Sequence, residues 1–179
     1  MSEVDFEFRL LQASDDRSQF CCGNIELDRF FQRYAGQNQF KHYIGSNYIL
    51  HRKQQIAGFV TISAGEICAE NLNDAQKKRL PDYPLPILRI ARLAVDQRFQ
   101  GLGLGKKLLG LSFKLALTMK ATYGCIGIVV DAKEESVAFY KKIGFVSLQT
   151  LSGELGDRPQ PEVLFLSIKA IEQAADFSS

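Results

Sequence analysis

Apolar residues recur along this chain with two different periods, and the changes between them mark out strands and helices. Phe6-Glu7-Phe8-Arg9-Leu10 alternates strictly, the pattern of a half-buried strand. Leu27, Phe30, Phe31 and Tyr34 fall at helical spacing behind Asn24, a candidate N-cap, with Glu26 and Asp28 in the first turn. That helix is predicted to reach about Asn38. Tyr48–His51 and Ile56–Ser63 read as two strands joined by a hairpin turn over Arg52–Gln55. A polar helix is predicted for Asn73–Arg79, and Pro81, Pro84 and Pro86 are expected to forbid regular structure until Ile87. Ile87–Val95 is apolar apart from Arg89 and Arg92, as befits a central strand covered on both faces. Leu104, Leu108, Leu111, Leu115 and Leu117 mark a long helix running to about Thr122. Cys125–Val130 is another apolar strand, and Glu135–Ile143 is a short helix closed by Gly144. Ser152–Pro161 reads as a loop, and Glu162–Ile168 as the last strand before a frayed C-terminal helix. The order predicts an α/β fold with one mixed sheet, in a single domain over residues 1–179.

Composition narrows the class without naming it. The chain is 46% hydrophobic and 23% charged, ordinary for a globular domain with a full core. No apolar run approaches bilayer length, and the acidic start Met1-Ser2-Glu3-Val4-Asp5 is unlike a signal peptide. Cys21, Cys22, Cys68 and Cys125 have no metal-ligand spacing, and His42 and His51 stand alone. A cytoplasmic protein with reduced thiols, no bound metal and no membrane association is expected.

A net charge of +2 does not advertise nucleic-acid binding, but its distribution is uneven. Arg89, Arg92, Arg98, Lys106, Lys107, Lys114 and Lys120 lie in one stretch against a single acid, Asp96. Arg33, Lys41, Arg52 and Lys53 add bases in the first third. Such runs are often plain solvated faces, and a bound polyanion is the other reading.

The chemistry concentrates in Gln100-Gly101-Leu102-Gly103-Leu104-Gly105-Lys106. Alternate glycines let the backbone approach a ligand closely, and the helix opening at about Leu104 adds its positive dipole end. The combination suits a pyrophosphate. It is neither a P-loop, lacking the Gly-Lys-Ser/Thr, nor a Gly-x-Gly-x-x-Gly dinucleotide turn.

Gln100-x-x-Gly103-x-Gly105, followed after a strand by Phe139-Tyr140-x-x-x-Gly144-Phe145, resembles the GNAT superfamily of acetyl-CoA-dependent N-acetyltransferases. The resemblance implies a GNAT-like fold whose fourth and fifth strands splay to admit the pantetheine arm of acetyl-CoA. The backbone of Leu93, Ala94 and Val95 would line that arm and supply an oxyanion donor. Residues Gln100, Gly101, Leu102, Gly103, Leu104, Gly105 and Lys106 would hold the pyrophosphate. Tyr140 would protonate the departing CoA thiolate, a reasonable exchange for a phenol of reference pKa about 10. A core aromatic is the competing reading of Tyr140.

A closer resemblance comes from Cys22-Gly23-Asn24-x-Glu26-Leu27-Asp28-x-Phe30, Arg33-Tyr34-Ala35-x-Gln37-Asn38, Arg92-Leu93-Ala94-Val95-Asp96 and Val130-Asp131-Ala132-Lys133. These are similar to the GNAT toxins of bacterial toxin–antitoxin modules. Lys133 departs from the Asn that general GNAT enzymes often carry there, and agrees with the toxin subgroup. The resemblance implies acetylation of the α-amino group of aminoacyl-tRNA, inhibition of translation, and a ribbon-helix-helix antitoxin partner that also represses the operon. Arg33, Lys41, Arg89, Arg92 and Lys114 are the candidate tRNA contacts, and a homodimer is left open.

The predicted strand Ile87–Val95 has no Asp or Glu to serve as base. An α-amino group of reference pKa about 8, lowered further by esterification, needs one less than a lysine does. Glu66, Glu70 or a water chain remain candidates for that role. Two other functions stay open at this point: an acetyltransferase of a small amine or protein N-terminus, and a catalytically silent CoA-binding module.

Overall fold

The computed structural model describes residues 5–77, 80–148 and 162–176. Its strands are β1 (Glu7–Leu10), β2 (Ser46–Arg52), β3 (Gln55–Ile67), β4 (Leu85–Val95), β5 (Gly127–Ala132), β6 (Val146–Ser147) and β7 (Glu162–Ser167). The helices are α1 (Ile25–Arg29), α2 (Ala35–Phe40), α3 (Asp74–Lys77), α4 (Leu104–Thr122), α5 (Glu134–Ile143) and α6 (Ile168–Asp176). The chain divides into two compact units, residues 1–63 with 90–112 and residues 64–89 with 113–179.

In the first unit the strands follow the order β1-β2-β3-β4, and β2 runs antiparallel to both β1 and β3. The stretch after Asn24 is helical as predicted, and the Asn24 side chain caps it by accepting the Leu27 N–H at 3.1 Å. It is not uniformly α-helical. Phe30–Tyr34 form a π-helical turn between α1 and α2, with the Ala35 N–H bonded to the Phe30 carbonyl. The wider turn lets Phe30 and Phe31, neighbours in sequence, both reach the interior. Arg17 seals its side by donating to the Phe31 carbonyl at 2.9 Å. Phe31 stacks on Phe59 at 4.2 Å between ring centres, and Phe20 meets both edge-on at 4.8 and 5.3 Å. Each buried ring contributes about 1.5–3 kcal/mol by leaving water, so this trio anchors the helix to β3.

In the second unit the order is β3-β4-β5-β7-β6, with β7 antiparallel to both its neighbours. β4 and β5 run parallel there. The Pro86 carbonyl accepts the Ile126 N–H at 2.9 Å, and further along Arg89 faces Asp131. Ile67, Leu72, Leu85, Ile87, Val129 and Phe165 form its core. Gly127 is required by that packing, since a Cβ there would lie 2.3 Å from the Leu166 carbonyl.

α4 opens and closes where the leucine spacing predicts, and Gly144 ends α5 at φ 123°. Other boundaries moved for physical reasons. β3 continues past Ser63 to Ile67, because Ile67 still buries its side chain in the second core. β4 begins at Leu85 despite Pro86, since the proline lacks only a donor and its carbonyl still pairs. β5 spans Gly127–Ala132 rather than Cys125–Val130. β6 is two residues long, too short to leave a pattern. The loop predicted for Ser152–Pro161 lies outside the described residues. No helix among the described residues is long and apolar enough to cross a membrane.

Candidate functional site

The glycine loop of the first unit is built by the residues on either side of it. β4 ends at Val95, and Asp96 turns the chain into a short 3-10 turn over Gln97–Phe99. Asp96 is 1% exposed, and its carboxylate accepts from the backbone N–H groups of Cys21 (3.0 Å) and Arg98 (2.9 Å). The Arg98 guanidinium adds bonds of 2.9 and 3.0 Å. Burial alone would push this carboxyl up, but the Arg98 side chain and the two N–H groups outweigh it and hold it below the usual carboxylate value. The backbone of Asp96 donates to the Ala57 carbonyl at 2.8 Å, and that of Gln97 to the Cys21 carbonyl at 2.8 Å.

Gln100, expected to serve the cofactor, acts on the loop itself. Its amide nitrogen donates to the Val95 carbonyl (2.9 Å) and the Cys22 carbonyl (3.0 Å), which fixes the entry to the loop. Phe99 and Leu104 are buried at the two ends, while Gly101, Leu102 and Gly103 stand exposed between them. Gly101 and Gly103 have φ of 83° and 76°, left-handed values at which a side chain is strained. A Cβ at either would meet no atom within 4 Å, so the space over the loop is open. The first backbone bond of α4 runs from the Lys107 N–H to the Gly103 carbonyl at 3.1 Å. The N–H groups of Leu104, Gly105 and Lys106 precede it, as the leading donors of a helix that attract an anion. The loop therefore fits a pyrophosphate on backbone chemistry.

Leu93–Val95 lead into the loop along β4. Ala94 belongs to the buried cluster of the first unit, and its carbonyl would lie 3.0 Å from a Cβ on Gly58. A glycine at 58 is what allows β3 this approach. In the same unit Arg33 and Lys41 are exposed, and the Arg92 guanidinium lies 3.6 Å from the centre of the Phe30 ring.

The second unit holds Tyr140, Arg89 and Lys114. Tyr140 sits on α5 at 4% exposure, with Phe139 and Phe145 edge-on at 5.1 and 5.4 Å. The Phe145 N–H returns to the Tyr140 carbonyl at 3.2 Å across Gly144. Burial pushes the phenol well above its usual value, so Tyr140 keeps its proton throughout the neutral range. In that range the phenol is not available as a base. Arg89 Nη1 lies 2.8 Å from both Asp131 oxygens, so this predicted RNA contact is engaged within the sheet. Lys114, Glu66 and Glu70 are exposed. No cluster of three potential metal ligands occurs among the described residues.

Sequence reasoning missed the role of Asp96 and the partnership of Arg89 with Asp131. A signal for the first was present: Asp96 is the lone acid in a basic stretch, at the end of an apolar strand.

Known proteins resemble this chain in sequence and in fold. A relative from Mycobacterium tuberculosis, the tRNA-acetylating toxin, is 29% identical over 139 residues, covering 76% of this chain and 82% of its own. The solved structure of AtaT complexed with acetyl-methionyl-tRNAfMet matches with a TM-score of 0.82 and 26% identity, over 96% of this chain and 99% of that one. A structure of AtaTR bound with AcCoA matches at 0.77 and 26% identity, over 96% and 98% of the two chains. Both superpositions reproduce the mixed α/β fold. The acetyltransferase (GNAT) domain model matches residues 44–147, from the approach to β2 through β6. That span takes in the glycine loop and Tyr140 and exceeds half of the chain, which therefore belongs to the GNAT acetyltransferase family.

Proposed function

We propose that this protein is a toxin that transfers the acetyl group of acetyl-CoA to the α-amino group of an aminoacyl-tRNA and so stops translation. The observation that carries the reading is the likeness over 96% of the chain to AtaT complexed with acetyl-methionyl-tRNAfMet, together with a loop fitted to a pyrophosphate. Residues 100–106 hold the CoA pyrophosphate on backbone N–H groups. The backbone of Leu93–Val95, at the end of β4, lines the pantetheine arm, and one N–H there stabilises the oxyanion.

In the reaction the neutral α-amino nitrogen attacks the thioester carbonyl and forms the N–C bond. The C–S bond then breaks, the amine loses a proton to solvent or to a base, and Tyr140 protonates the leaving thiolate. Arg33, Lys41 and Lys114 are the exposed cations assigned to tRNA phosphates. Arg89 and Arg92 act mainly within the fold, through Asp131 and the Phe30 ring.

An antitoxin is the protein partner. The likeness to a mutant AtaT toxin bound to the C-terminus of the antitoxin AtaR and Acetyl-CoA supports it, with a TM-score of 0.76, 25% identity and coverage of 96% and 98%. We assign that antitoxin to the ribbon-helix-helix class and the protein to the cytoplasm.

The test is transfer of radiolabelled acetyl from acetyl-CoA to purified charged tRNAs, with small amines and peptide N-termini in parallel. Label on aminoacyl-tRNA, with affinity falling steeply as salt rises, is the expected result. Efficient label on small amines alone refutes the reading.

A further inference from the structure

The segment that follows the π turn carries features that the fold does not use. Between Arg29 and Gly65 the sequence has no Asp or Glu, while Arg29, Arg33, Lys41, Arg52 and Lys53 are all basic. Arg52 is occupied by the Phe6 and Phe99 rings. Arg29, Arg33 and Lys41 are exposed. Among them stand large side chains that have not been buried: Tyr34 is 48% exposed, Tyr43 83% and Ile44 63%.

Tyr43 is held in an unusual state. Its φ is 56°, a left-handed conformation that disfavours any L side chain and that at a helix end usually falls to Gly or Asn. The only other non-glycine residue with such a φ among those described is Lys53, in the tight turn between β2 and β3 that calls for it. Around Tyr43 the backbone is closed. The N–H groups of Lys41 and His42 both return to the Gln37 carbonyl, at 3.0 and 3.2 Å, and that of Ile44 returns to Asn38 at 3.1 Å. The Gln37 and His42 side chains meet at 3.0 Å. The turn is thus folded back on α2 and presents an aromatic ring outward from a strained position. The hydrogen bonds of the turn hold this conformation, while the exposed ring gains no burial from it.

We infer that Tyr43 is a stacking platform for an unpaired nucleobase, with Arg33 and Lys41 reading the adjoining phosphates. Every base has a π face, and an exposed aromatic ring beside cations, on a stretch of chain without a carboxylate, suits the binding of a single strand. The inference rests on the tRNA reading and deepens it, because the acceptor end of a tRNA is an unpaired CCA. It assigns Tyr43 to RNA positioning and not to chemistry.

The experiment uses the full chain and two probes: a short single-stranded oligoribonucleotide ending in CCA, and the same sequence annealed into a duplex. Binding is followed by fluorescence anisotropy, and melting temperature is recorded for every variant. Tyr43→Ala is expected to weaken single-strand binding about 5- to 150-fold, with duplex binding changed much less. Tyr43→Trp is expected to retain it. Tyr43→Gly relieves the backbone, so it should lose single-strand binding while its melting temperature holds or rises, a combination that a structural tyrosine would not give. On charged tRNA the loss should appear in KM and leave kcat nearly intact. Unchanged single-strand binding in Tyr43→Ala overturns the inference. So does a variant whose sole defect is in self-association or antitoxin binding, which would make the patch a protein interface. A chain that acetylates no tRNA refutes the proposed function, while the oligonucleotide arm still judges the stacking role separately.

Discussion

The Asp96 carboxylate accepts the Cys21 backbone N–H at 3.0 Å across 75 positions of sequence, and the turn into the glycine loop starts at the residue it thereby fixes. The same carboxylate takes three bonds from Arg98. A buried charge with this many donors is a positioning device. Removing it leaves the donors unmet and frees the turn that leads to Gln100.

Asp96→Ala is therefore expected to lower stability by about 3 kcal/mol and to weaken acetyl-CoA binding in whatever fraction remains folded. The pH dependence has a definite sign. The folded carboxyl titrates below its unfolded value, so its stabilisation is fully present above about pH 4 and is lost as pH falls through the folded value. Acid unfolding followed by circular dichroism should show a shallower decline below pH 4 in Asp96→Ala than in the native chain. An identical acid limb in both would remove Asp96 from this role.

Gly103→Glu should abolish acetyl-CoA binding. At φ 76° the substitution is strained, and its side chain would project into the open space over the loop with a charge like that of the ligand. Calorimetric titration of the folded variant with acetyl-CoA is the measurement. Undiminished affinity would move the pyrophosphate elsewhere.

How much of this is legible in the sequence follows from the range of the interactions involved. α4 and the glycine loop are readable because their determinants are local: leucines at helical spacing, glycines at alternate positions and a buried Leu104 at the junction. The N-cap at Asn24 is local too. The Asp96–Cys21 bond and the Arg89–Asp131 pair join positions far apart, and no periodicity reports them. The π turn at Phe30–Tyr34 is hidden for another reason. Phe30, Phe31 and Tyr34 fit α-helical spacing well, and only the need to bury both phenylalanines against Phe59 selects the wider turn. Arg89 reads as a free cation because its partner lies on a neighbouring strand.

Gly127→Ala is predicted to be among the most damaging single-methyl changes in the second unit. The added Cβ would come within 2.3 Å of the Leu166 carbonyl and 2.6 Å of the Phe165 ring, both of which are held by the β5–β7 ladder. Overpacking against backbone costs on the order of 1–3 kcal/mol or more, since the obstructing atom has no rotamer to escape into. Chemical denaturation should show the loss, and a midpoint equal to the native chain's would contradict the packing described.

Tyr140→Phe separates chemistry from packing at the candidate acid. The substitution deletes one oxygen and keeps the ring against Phe139 and Phe145, so folding and acetyl-CoA affinity should barely change. If the hydroxyl protonates the thiolate, kcat should fall by about two to four powers of ten. Growth arrest on controlled expression should fall with it, because arrest requires turnover. The buried phenol is held above its usual value, so the acid form persists as pH rises and kcat should show no alkaline loss from this group below about pH 10. A native chain losing activity near pH 9, with the loss absent in Tyr140→Phe, would contradict that. If Tyr140 is only a core aromatic, the hydroxyl's removal should appear in melting temperature and leave turnover intact. Rate and melting temperature measured on the same purified variant decide between the two, and full turnover there would end the assignment of Tyr140 as the acid.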